Sequence, residues 1–121
     1  MDSKYIQKYI NSYKHNRERD NLARKELQRQ VKEDIVKIKE SLLKTDPTIS
    51  KMIVFGSFLT EHFNKRSDID IALDADKAKF YSLSALANRV SRFSVDLVDI
   101  RNVKGFFKDN ILKNGVTLYE K

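Results

Sequence analysis

Between Asp20 and Lys44 the apolar residues Ala23, Leu27, Val31, Ile35, Ile38 and Leu42 recur at steps of three or four. That spacing lays one apolar stripe along an amphipathic helix. Asp46-Pro47 ends it, because proline lacks the N–H a helix interior needs. Upstream, Tyr5, Ile6, Tyr9, Ile10 and Tyr13 also keep helical spacing and predict a helical segment over about residues 4–14. The polar stretch from His15 to Asp20 leaves open whether the two segments form one helix or two.

After residue 50 the period changes. Met52-Ile53-Val54-Phe55 is a short apolar run ending at Gly56, which reads as a buried strand. A brief helix is expected over residues 58–63 and a turn at Asn64-Lys65-Arg66-Ser67. Asp68-Ile69-Asp70-Ile71-Ala72-Leu73 alternates and predicts a strand with Ile69, Ile71 and Leu73 on one face. Phe80, Leu83, Ala87 and Val90 mark a further helix, followed by a strand from Ser94 to Ile100. A last helix near 104–113 stops at Asn114-Gly115, and Val116 to Tyr119 adds a final strand. Helices alternating with strands predict an α/β fold, a small mixed sheet flanked by helices. Residues 1–45 read as an N-terminal helical extension and residues 50–121 as the domain proper.

Composition narrows the chemistry. Length, at 121 residues, suits one compact core. There is no cysteine, which excludes disulfides, thiolate nucleophiles and thiolate metal sites. Two histidines, His15 and His62, leave carboxylates as the metal ligands to consider. No apolar run is long enough to cross a bilayer, and the N-terminal segment lacks the continuous apolar stretch of a signal peptide, so a cytoplasmic protein is expected. The net charge of +7 is spread along the chain, with 12 basic and 8 acidic residues up to position 50 and 12 and 9 after it. Diffuse positive charge suits a polyanionic ligand such as a polyphosphate. Without a basic-plus-aromatic reading motif it argues against nucleic acid as a direct partner.

The informative segment is Gly56-Ser57, ten residues, then Asp68-x-Asp70, with Asp96 and Asp99 in a later strand. A glycine at a sharp strand end lets backbone amides approach an anion, and Ser57 is expected at the start of a helix, where N–H groups and the dipole favour phosphate. Strand side chains repeat every two residues, so Asp68 and Asp70 share a face and can converge on divalent cations. Two such cations held by carboxylates and substrate phosphates are a standard arrangement for in-line displacement at phosphorus. In Val95-Asp96-Leu97 the apolar residues share one face, which leaves Asp96 on the other with Asp68 and Asp70 and makes it the preferred third carboxylate. Asp74, Asp76 and Asp99 read as solvent-facing or capping residues.

The Gly56-Ser57-x(10)-Asp68-x-Asp70 pattern, with Asp96 in Val-Asp-Leu-Val-Asp, resembles the DNA polymerase beta-like nucleotidyltransferases. The ending ILKNGVTLYEK resembles their minimal (MNT) branch. The resemblance covers residues from about 50 onward. It implies ATP as nucleotide donor, Mg2+ or Mn2+ as cofactor, and transfer of AMP to an acceptor hydroxyl. Gly56 and Ser57 would hold the triphosphate, and Asp68, Asp70 and Asp96 the metals, with Asp96 also helping to deprotonate the acceptor. Family members often carry Arg after the Gly-Ser and a Gly in the following turn. Here Phe58 and Glu61-His62-Phe63-Asn64 stand in those places, so Lys65 and Arg66 are expected to supply phosphate contacts. Many MNT proteins neutralise HEPN-type toxins, some by adenylylating a toxin tyrosine. The resemblance therefore implies a HEPN-type partner, with a non-catalytic antitoxin acting by contact alone as the alternative. Tyr5, Ile6, Tyr9 and Ile10 are expected to make an association surface, for this partner or for a homo-oligomer.

Overall fold

A computed structural model describes residues 3–60 and 63–121, with side chains described from residue 21 onward. The two helical segments upstream of Pro47 form one helix, α1, Ser3–Thr45. The side chains of Tyr5, Ile6, Tyr9 and Ile10 lie outside the described residues, as do Glu61 and His62. The chain divides into two compact units between Gln30 and Val31.

In the second unit, burial along α1 follows its stripe. Val31, Ile35, Ile38 and Leu42 are buried, whereas in the first unit Ala23 is exposed and Leu27 only partly buried. The helix stops as its ending predicts: the Asp46 amide bonds to the Leu42 carbonyl, and the Asp46 carboxylate accepts from the Thr48 amide (3.1 Å), the Thr48 hydroxyl (2.5 Å) and Lys79 (3.3 Å).

The remaining elements are β1 (Lys51–Phe55), β2 (Ile69–Asp74), α2 (Phe80–Val90), β3 (Val95–Asp99), α3 (Gly105–Asn114) and β4 (Val116–Glu120). The four strands form one mixed sheet in the order β3-β2-β1-β4, with β1 antiparallel to both neighbours and β2 parallel to β3. The parallel pair is joined through α2, as a parallel connection requires.

Register settles what each sheet face carries. Phe55 pairs with Asp70 and Ile53 with Ala72 across β1 and β2; Asp70 pairs with Asp96 and Ala72 with Val98 across β2 and β3. Paired residues share a face. One face therefore carries Ile53, Phe55, Ala72 and Val98, packed with Ile111 of α3 and with Ile100 and Val103, and ends in Asp70 and Asp96. The opposite face carries Met52, Val54, Ile69, Ile71 and Leu73, all at most 1% exposed, and is buried with the stripes of α1 (Val31 to Leu42) and α2 (Leu83, Ala87).

One polar group lies inside this packing. Asp34, fully buried, accepts from the Arg92 amide (2.8 Å), the Arg92 guanidinium (3.0 and 3.1 Å) and the Ser91 hydroxyl (3.4 Å). Burial pushes its carboxyl up, but these hydrogen bonds and the Arg92 charge outweigh that and hold it below the ordinary range. The bridge pins α1 to the turn between α2 and β3, and the helical stripe alone does not announce it.

Candidate active site

The carboxylates gather where β1 ends and β2 and β3 begin. Asp70 is partly buried in β2, directly across from Asp96 in β3. Neighbouring strands place their alpha carbons about 4.8 Å apart. Asp68 stands just before β2, which starts at Ile69, and both Asp68 and Asp96 are exposed. Burial first, then the charges of Asp96 and Asp68, push the Asp70 carboxyl up to about 6. Asp70 is thus discouraged from ionising by its surroundings and by two neighbouring acids.

Gly56 closes the other side of Asp70. Its φ is +81°, and a Cβ there would lie 3.2 Å from the Asp70 Cγ and closer still to Oδ2. Only glycine allows both the backbone angle and the approach. The strand end therefore presses its backbone against the carboxylate.

Ser57 departs from its expected setting. The brief helix expected over 58–63, with Ser57 at its start, is instead a four-residue 3₁₀ turn, Gly56–Leu59, closed by the Thr60 amide and hydroxyl donating to the Ser57 carbonyl (3.0 and 2.9 Å). One turn has no macrodipole to offer an anion; it offers oriented backbone only. Phe58 lies in this turn. Its ring meets Phe63 edge-on at 6.0 Å, and Phe63 in turn lies 5.8 Å from Phe93. These aromatic contacts link Phe58 of the turn, through Phe63, to Phe93 just before β3.

Lys65 and Arg66 are exposed on the turn that leads into Asp68. The turn is built by Asn64 and Ser67: the Arg66 amide donates to Asn64 Oδ1 (2.8 Å), the Asn64 amide to Ser67 Oγ (3.0 Å), and the Ser67 amide to the Asn64 carbonyl (3.0 Å). The other acids have ordinary work. Asp76 caps the Ala78 amide, Asp99 accepts from the Arg101 amide, and Asp74 pairs with Arg101.

A cleft of about 390 Å³ opens beside Gly56, lined by Phe55, Gly56, Leu59, Thr60, Asn110, Asn114 and Gly115. The sequence pattern assigned Asn114-Gly115 only to stopping α3. Two amides four residues apart on a helix share a face, and that spacing was the available signal.

The donor set fits magnesium or manganese. Hard carboxylate oxygens, with Asp70 made reluctant to ionise by burial and by its like-charged neighbours, are what a divalent cation would satisfy. Among the described residues, no three His, Cys, Asp or Glu side chains are drawn close enough to form a ready-made metal cage. Mg2+ needs none, since it keeps several waters and binds through one or two carboxylates together with substrate phosphates.

Comparison with known proteins agrees with the fold. The family model described as "Polymerase beta, Nucleotidyltransferase" matches residues 36–121. A search of curated proteins finds no match. Among solved structures, a toxin–antitoxin complex with AMP-PNP is 26% identical, with a TM-score of 0.58 over 74% of this chain and 73% of the other. A mutant of the toxin–antitoxin pair MntA-HpeT is 27% identical, with a TM-score of 0.55 over 74% of this chain and 72% of that one. The MntA-HepT toxin–antitoxin structure, at 24% identity, has a TM-score of 0.57 over 74% and 73%, a likeness of fold.

Proposed function

The chain belongs to the polymerase beta nucleotidyltransferase family, and on that premise we propose that it transfers AMP from ATP to a hydroxyl of a partner protein, a tyrosine by preference, as the cytoplasmic antitoxin of a HEPN-type toxin. The observation that carries the chemistry is Asp70, held against the Gly56 backbone and pushed up by burial and then by Asp96 and Asp68. That arrangement is unfavourable in isolation and becomes favourable when it receives a cation and a triphosphate. The partner assignment is supported by the similarity to a toxin–antitoxin complex that holds AMP-PNP, an ATP analogue.

In this reading residues 50–121 carry the chemistry and residues 1–45 form the helical extension. The Gly56-Ser57 backbone receives the triphosphate, and Lys65 and Arg66 on the turn before Asp68 offset its charge. Asp68, Asp70 and Asp96 hold Mg2+ or Mn2+, which when bound neutralises the phosphate oxygens and the leaving pyrophosphate. Asp96, exposed at the mouth of the site, accepts the proton of the incoming hydroxyl. The hydroxyl oxygen bonds to the α-phosphorus as the bond to the bridging oxygen breaks, and pyrophosphate departs. Positioning carries most of this reaction, and the fixed strand register supplies it.

Incubating the HEPN-type partner with ATP, magnesium and this protein should add AMP to it, seen by intact-mass spectrometry. Asp68→Asn should abolish the addition, and calorimetry in EDTA should show little ATP binding. A toxin that stays unmodified yet is inhibited equally by wild type and Asp68→Asn would show a contact antitoxin instead.

A further inference from the structure

The cleft beside Gly56 sits one strand from the carboxylates and on the same sheet face. Phe55, which lines it, is the register partner of Asp70. Gly56 belongs to both places, with its alpha carbon against the Asp70 carboxylate and the same residue in the cleft wall. A nucleotide whose triphosphate lies along Gly56-Ser57 has a cavity immediately next to it. The volume falls within the ordinary range for small-ligand sites. Its lining, two apolar side chains with a hydroxyl and two carboxamides, suits a flat heteroaromatic ring with a polar edge.

The two carboxamides are joined. Asn114 Nδ2 donates to Asn110 Oδ1 at 2.5 Å. This bond joins the two groups and leaves the Asn114 oxygen as an acceptor and the Asn110 nitrogen as a donor on two side chains of the cleft lining. Adenine offers a matching adjacent pair, the N6 amino donor and the N7 acceptor, and asparagine is a common partner for it; the corresponding edge of guanine carries two acceptors. Gly115 keeps the amides in reach. A Cβ there would strike the Ile53 side chain and lie 2.5 Å from the Ile111 carbonyl, so glycine lets the end of α3 close onto β1.

We propose that this cleft is the nucleoside pocket and that Asn110 and Asn114 select adenine over guanine. The proposal rests on the nucleotidyltransferase reading above, and the test separates the two. Calorimetry on the full chain with magnesium should show ATP binding about tenfold tighter than GTP, with inorganic tripolyphosphate also bound. Asn114→Leu and Asn110→Leu, both at exposed positions, should bring the ATP-to-GTP ratio toward one and leave tripolyphosphate binding unchanged. Leu59→Trp, at the cleft wall, should weaken both nucleotides and spare tripolyphosphate. Thermal melts check that each variant folds. Tripolyphosphate binding accompanied by an unchanged ATP preference in both asparagine variants, or by unweakened nucleotide binding in Leu59→Trp, overturns the pocket alone. Absence of magnesium-dependent binding of either ATP or tripolyphosphate to wild type overturns the nucleotidyltransferase reading and the pocket with it.

Discussion

A single methyl group at position 56 would occupy the space of the Asp70 carboxylate, so these two residues set the limits of the site. Asp70 bears the cost. Its carboxyl titrates near 6 in the fold, because of burial and then Asp96 and Asp68, against the ordinary 3.8. Between those two values the folded state binds more protons than the unfolded one, so stability falls as pH rises through the window and stays lowered above it. Two units correspond to at most about 3 kcal/mol, less where solvent screens the group. In EDTA, Asp70→Asn should therefore be more stable than wild type at pH 7, and the difference should vanish below about pH 4. Chemical denaturation at the two pH values checks this. A variant destabilised at pH 7 would mean that Asp70 has a partner in the fold that outweighs its repulsion.

Among the elements, the shortest and the longest both matter. The 3₁₀ turn at Gly56–Leu59 carries Phe58, whose ring packs on Phe63, which packs in turn on Phe93. That packing links the turn to the residues just before β3, where Asp96 sits. The second-unit part of α1 is tied to the turn before β3 by a carboxylate, Asp34. Removing it strands the Arg92 amide and the Ser91 hydroxyl, so Asp34→Ala should cost about 2–3 kcal/mol. Urea denaturation at neutral pH measures it. Glu33 also pairs with Arg92, but with both side chains almost half exposed, so Glu33→Ala should cost at most about 1 kcal/mol.

At the scale of the whole molecule, the division between Gln30 and Val31 separates a helical segment from the unit that contains every residue assigned to the site. Val31, Ile35, Ile38 and Leu42 all lie on the second side of that division and are buried there. Residues 31–121 should therefore fold cooperatively alone and keep magnesium-dependent ATP binding close to that of the full chain. Circular dichroism melts and calorimetry on that fragment check it. A non-cooperative melt would place the first thirty residues within the folding unit. Among the described residues no helix is long and apolar enough to cross a membrane, and the net charge of +7 suits a protein whose substrate is a polyanion.

Local period alone was enough to find most elements. The stripe of α1 from Val31, the alternation around Asp68 and Asp70, the apolar run of β1 and the final helix and strand all read directly, because strand and helix geometry impose their periods on neighbouring residues. The same alternation separated Asp96 from Val95 and Leu97 before any register was known. What local period could not decide is which strand lies beside which. The order β3-β2-β1-β4 brings Asp96 next to Asp70 and the amides of α3 next to Phe55, and such pairings depend on packing between segments far apart in the chain. The burial of Asp34 has the same origin. It is set by a distant partner, Arg92, and a period has no means of naming a partner.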